Sequence, residues 1–276
     1  MSASRIYLPT DSWEPGEFPA VLAIGDSWFW YPRNNVLQAL VEHKRLKDPY
    51  RFVQMLGNNG AKLEEYVFGR YAKQLEKHLS PGFRGVYSAI LISGAGNDAV
   101  DYRLALRRNC SRAHSAEACI DEDTMGVFIG KLSAALSALL QRITDAYADG
   151  PVQRPDIFLH SYDYPVPDGR GFKLADLKIT GPWLQPAMEA RRVEAEMVLR
   201  RGVCRILIDR LAAMYERFAA THERVYFISS TGCLASDNYK KDWDNELHPT
   251  QAGFKQVVDR CWIPVLAQHG YAKPAG

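Results

Sequence analysis

The sequence has no charge excess: 34 Lys and Arg against 32 Asp and Glu leave a formal charge of +2 over 276 residues. A dedicated nucleic-acid binder carries a surplus of cations to replace phosphate counterions, so no nucleic-acid partner is expected. Apolar runs such as AVLAI at 20–24 and SAILIS at 88–93 are far shorter than the ~20 residues that cross a bilayer, so no membrane span is expected. The five cysteines, Cys110, Cys119, Cys204, Cys233 and Cys261, are odd in number and irregular in spacing. They form neither a disulfide framework nor a CxxC metal pattern and are expected to be reduced. HExxH, paired Cys/His spacing and GxxxxGK[ST] are all missing, so metal-independent chemistry without a cofactor is expected. The N-terminal MSASRIYLPTDSWEPGEFP lacks a basic start and a continuous apolar core, from which a cytoplasmic location is expected. There is no internal repeat and no Gly/Ser-rich or charged linker, so a single domain over 1–276 is expected.

Hydrophobic residues make up 47% of the chain, enough for a substantial core. Short apolar runs alternate with longer amphipathic stretches, the pattern of βα units around a parallel sheet. Strands are predicted near 19–25, 51–56, 87–93, 155–160 and 224–229. Between them, Leu132, Leu136, Leu139, Leu140 and Ile143 share one helical face, as do Leu207, Leu211, Met214, Tyr215 and Phe218. These stripes are core. Two segments read as insertions, 108–123 and 161–185, following the third and fourth strands. Ligands bind at the carboxyl ends of parallel strands, so both insertions are expected at the rim of a site.

Four short patterns fall at those strand ends. Gly25-Asp26-Ser27-Trp28 puts a serine where a buried strand breaks, although Asp and Ser are also ordinary turn and cap formers. Gly57-Asn58-Asn59-Gly60 is a turn in which Gly60 lets the backbone turn an N–H toward a ligand. Gly94-Ala95-Gly96-Asn97-Asp98 offers an amide donor at Asn97 and a helix cap at Asp98. Glu246-Leu247-His248-Pro249-Thr250 places a histidine just before a helix. Each has a bland explanation alone; the ordered set of four is far less ordinary.

In this order and spacing the chain resembles the SGNH (GDSL-like) hydrolase family, matching its GDS at 25–27, its second-block glycine at Gly60, its G-N-D at 96–98 and its H-P at 248–249. The resemblance spans about residues 20 to 265. It implies a three-layer α/β/α, flavodoxin-like fold with a five-stranded parallel sheet of order 2-1-3-4-5. It also implies a serine esterase acting on an acyl or acetyl ester of a small-molecule or carbohydrate-linked alcohol. Ser27 would be the nucleophile, His248 its base, and the Ser27 and Gly60 N–H groups with the Asn97 amide the oxyanion hole. Thioesterase, acyltransferase and non-catalytic ligand-binding readings stay open.

The sequence departs from the family pattern at one informative place. An Asp is usual three residues before the histidine, and Asn245 stands there. Asp244 is the first candidate to orient His248, with Asn245 itself and Asp163 as alternatives. Ala95 also stands where the family's GxND has glycine. Trp28, His160 and Asp163 are expected at the substrate rim. The cluster Arg103, Arg107, Arg108 and Arg112 is read as a solvated face.

Overall fold

The computed structural model describes residues 5–31, 34–101, 103–149, 151–174, 177–234 and 237–275. Six parallel strands form the main sheet: β1 (Arg5–Tyr7), β2 (Val21–Gly25), β3 (Phe52–Gly57), β4 (Ala89–Ser93), β5 (Asp156–His160) and β8 (Val225–Ile228), in the order β1-β3-β2-β4-β5-β8. A separate antiparallel hairpin, β6 (Phe172–Leu174) and β7 (Leu177–Thr180), lies in the second insertion. Strands β2, β4 and β5 are buried along their whole length. That burial on both faces is why they read as continuous apolar runs, not alternating ones.

The five expected strands appear in the expected order, with one correction. Strand β1 adds a sixth position at the edge, pairing Arg5 with Phe52 and Tyr7 with Gln54. Three residues are too few to show a period. The Gln54 amide secures this edge by donating to the Tyr7 and Leu8 carbonyls at 3.3 and 3.2 Å.

Helices flank the sheet to give three layers. The two predicted stripes lie on the long helices Glu122–Ala146 and Met197–Thr221, where all the named residues except the half-buried Phe218 are buried. Glu122–Ala146 is long and apolar enough to cross a membrane by length and composition. Its stripe of Met125, Phe128, Leu132 and Leu136 is instead buried in the core cluster. All five cysteines are free thiols.

The register decides where chemistry can gather. Gly25 pairs with Gly57 and Ser93, Ser93 with His160, and His160 with Ile228, so five strands end on one line. The loops that follow them share one edge of the sheet. At Gly25 a Cβ would lie 2.6 Å from the Ser93 carbonyl oxygen and 2.7 Å from the Phe29 ring; only glycine lets the turn pack there.

Candidate active site

The serine turn is built by its neighbour. Asp26 Oδ1 accepts the Trp28 N–H at 3.0 Å and caps the short helix Ser27–Trp30, leaving Ser27 at its first position. A first-turn N–H has no partner within the helix and is available to a ligand. Asp26 Oδ2 accepts the Tyr162 hydroxyl at 2.5 Å, and the Tyr162 oxygen in turn accepts the Gly96 N–H at 3.2 Å. Through Tyr162, Asp26 therefore fixes the serine turn against the loop that carries Asn97. Burial pushes the Asp26 carboxyl up to about 6, against the lowering effect of these hydrogen bonds.

Asn97 sits in the first turn of the helix Gly96–Asp101, and its Nδ2 donates to the Ala61 carbonyl at 3.0 Å. That bond fixes the amide orientation and leaves its second N–H for another acceptor. Asp98 lies within the first turn of this helix, not ahead of it as a cap. Its Oδ2 accepts the Leu63 N–H at 3.3 Å, and burial raises its carboxyl to about 7. Ala95, fully buried, has φ +91°, a left-handed conformation that costs a non-glycine residue ~1–2 kcal/mol. The turn that presents Asn97 is thus held under strain. Gly60 has φ +77° with nothing within 4 Å of a Cβ position; conformation, not space, explains the glycine.

His248 closes the array. Its Nε2 lies 2.8 Å from Ser27 Oγ and its Nδ1 lies 3.0 Å from Asn245 Oδ1. The same Oδ1 accepts the backbone N–H groups of Leu247 and His248, each at 3.0 Å. Backbone N–H groups only donate, so this atom is the amide oxygen, Nδ1 carries the proton, and Nε2 is free to accept the Ser27 proton. Asp244, the first candidate for this position, does not face the ring. Its Oδ2 accepts the Tyr31 hydroxyl at 2.6 Å and the Asn245 Nδ2 at 3.3 Å. The Tyr31 ring stacks on the imidazole with centroids 4.1 Å apart and planes 8° from parallel. Burial lowers the His248 pKa to about 3.

Two cavities meet at the serine. One, of about 280 Å³, is lined by Tyr31, Asn59, Gly60, Phe172, Thr180 and Trp183, together with Ser27 and His248. The other, of about 50 Å³, is walled mainly by Leu104, Leu184, Leu207, Ile208 and Leu211. Ser27, Asn97 and Leu247 border both. Glu246, fully buried, ties the wall to the histidine loop. Its carboxylate accepts the N–H groups of Gly169, Trp183, Leu184 and Gln185 at 2.6–3.1 Å.

No protein-family model matches the chain, and no curated protein matches it. Solved structures do. A structure from Streptococcus pneumonia described as a platelet activating factor superposes with a TM-score of 0.54 at 17% identity, covering 91% of this chain and 84% of that one. A lipase from a goat rumen metagenome gives 0.51 at 13% identity, covering 92% and 98%. The chain has an SGNH-like three-layer α/β/α fold.

Of the other residues expected at the site, Trp28 and Asp163 border the small cavity and His160 does not. His160 is fully buried, with Nε2 2.8 Å from Ser230 Oγ and Nδ1 3.2 Å from Ser93 Oγ. This Ser93–His160–Ser230 array is a second place where hydroxyls meet an imidazole. All three residues are sealed, and none of the three lines a described cavity. Burial lowers the His160 pKa to about 3. Asp163 borders the small cavity, but its carboxylate accepts the N–H groups of Tyr164, Gly232 and Leu234 at 2.6–2.7 Å and so secures a loop. Trp28 also borders that cavity, and its Nε1 donates to the Leu247 carbonyl at 3.0 Å.

The second insertion lines the site through Phe172, Thr180 and Trp183. The first insertion does not reach either cavity at Ser27. Its helix Ala116–Cys119 packs on Met197–Thr221. Arg103, Arg107, Arg108 and Arg112 are exposed. Among the described residues, no group of three His, Cys, Asp or Glu is arranged to hold a metal.

Proposed function

We propose that the protein is a serine esterase that hydrolyses short-chain acyl esters. The observation that carries this reading is the 2.8 Å contact between Ser27 Oγ and His248 Nε2 at a cavity that Gly60 and Asn97 also line. Ser27 Oγ attacks the ester carbonyl carbon while its proton passes to Nε2. The oxyanion so formed is met by the Ser27 and Gly60 N–H groups and the Asn97 amide. The C–O bond to the alcohol breaks, and the leaving oxygen takes the proton from Nε2. Water then attacks the acyl-enzyme carbonyl, passing a proton to Nε2, and the bond to Ser27 Oγ breaks as that oxygen takes the proton back and the acid leaves.

The cavities divide the substrate. The apolar one, the smaller of the two, suits a short acyl tail. The larger one, with Trp183, Phe172, Asn59 and Thr180, suits a polar or aromatic alcohol.

The second reading, a non-catalytic relic that keeps the pocket, is favoured by Asn245 where a carboxylate is usual. Labelling with a fluorophosphonate decides between them. Wild type and a Ser93→Ala, Ser230→Ala double variant should label, and Ser27→Ala should not. Absence of labelling in folded wild type favours the relic. Labelling that survives Ser27→Ala and is lost with Ser93 or Ser230 moves the nucleophile to the buried array.

A further inference from the structure

We infer that Tyr31, held by Asp244, stabilises the charged form of His248 in place of the missing triad carboxylate, a positioning role that rests on the esterase reading above. His248 is neutral at rest, and a positive ring exists only while it holds the Ser27 proton. An interaction with the imidazolium therefore acts on the transition state and hardly at all on the ground state. Asn245 offers Nδ1 an oxygen without charge. What faces the ring plane is the phenol of Tyr31, parallel at 4.1 Å, and an aromatic face is negative toward a cation.

Asp244 strengthens that face. The Tyr31 hydroxyl donates to Asp244 Oδ2 at 2.6 Å, a charge-assisted bond that leaves the phenol oxygen richer in electrons. The same oxygen accepts Asn245 Nδ2 at 2.9 Å, so ring, carboxylate and amide form one closed set. Burial and the Asp244 carboxylate raise the Tyr31 pKa, so the phenol keeps its proton.

The other charges around the loop are engaged elsewhere. Arg170 donates to the Trp243 and Asp244 carbonyls at 2.7 and 3.1 Å and pairs with Asp168 at 2.6 Å. Glu246 is turned to its four backbone donors. Trp183, edge-on to the imidazole at 5.8 Å, is neutral.

The test is a set of variants assayed with p-nitrophenyl acetate in two backgrounds, wild type and Asn245→Asp. In the wild-type background Tyr31→Leu should lower kcat about thirtyfold with little change in KM, the size of a desolvated cation–aromatic contact. Tyr31→Phe and Asp244→Asn should each lower it about three- to tenfold. In the Asn245→Asp background the new carboxylate meets Nδ1 directly, so Asp244→Asn should no longer lower kcat. Tyr31→Leu should there move the acidic limb of kcat/KM to lower pH.

A purely structural role would give equal losses in both backgrounds and leave the limb in place; that result overturns the inference. So does kcat within twofold of wild type for both Tyr31→Phe and Asp244→Asn. Should Tyr31→Leu fail to fold, those two variants decide. Ser27→Ala is assayed alongside. Its inactivity with unaffected Tyr31 and Asp244 variants sinks this inference alone, whereas activity retained in folded Ser27→Ala sinks the esterase reading as well.

Discussion

Asn245 Oδ1 lies 3.0 Å from His248 Nδ1 and holds the imidazole by hydrogen bonding alone, without a charge. No charge on that side raises the proton affinity of the ring, and burial lowers its pKa from the ordinary 6.5 to about 3. A base acts only when unprotonated. Its neutral form is therefore present from just above pH 3 upward, and kcat/KM should be level between about pH 5 and 7. Asn245→Asp should raise the plateau at least about tenfold and carry the acidic limb toward pH 6–7, since a carboxylate at Nδ1 favours the imidazolium. A wild-type limb near 6.5 would contradict this account of the base.

In the proposed reaction Asn97 acts where charge develops. Asn97→Ala should cut kcat by roughly 10²–10³ with little change in KM. Steady-state kinetics on p-nitrophenyl acetate read the two apart, and a change confined to KM would make Asn97 a ground-state contact.

The small cavity should set the acyl length. Across p-nitrophenyl esters from two to eight carbons, kcat/KM should fall beyond about four carbons. Leu207→Ala, which deepens the leucine wall, should move the optimum to longer chains. An unchanged profile in that variant would place the acyl tail elsewhere.

Glu246 answers four backbone donors at once, and a neutral amide cannot. Glu246→Gln should destabilise the fold by about 3 kcal/mol, the scale of charged hydrogen bonds lost from a buried site. At ~2–4 °C per kcal/mol for a chain of this size, thermal melting should show Tm lower by roughly 6–12 °C. KM should rise too, because Trp183 hangs from the same carboxylate. An unaltered melt would rule out the tether.

Three loops of the site were legible because each follows an apolar run that the register ends on a common line, which groups Ser27, Gly60 and Asn97; His248 was legible from its place just before the helix Gln251–Val257. The partners of those residues were not legible. Tyr162 meets Asp26 across 136 residues and Tyr31 meets Asp244 across 213, and no local pattern reports such a meeting. Position along the chain also misled. Asp244 adjoins Asn245, but its carboxylate turns to Tyr31. His160 closes a strand as the other site loops begin, yet its ring points into packed interior. Strand β1 and the hairpin were missed because three or four residues show no period.

Glu246 stands between the residue that steadies the base and the loop that carries it, and its carboxylate gathers the start of the helix Leu184–Ala190. His248 and the cavity wall at Trp183 are therefore one mechanical piece. A lineage that lengthened or trimmed residues 161–185 to accept a new leaving group would shift His248 as well, unless 244–248 changed in step. In the proposed esterase, choice of leaving group and catalytic competence would change together, and a chimera that exchanges one segment without the other should lose both.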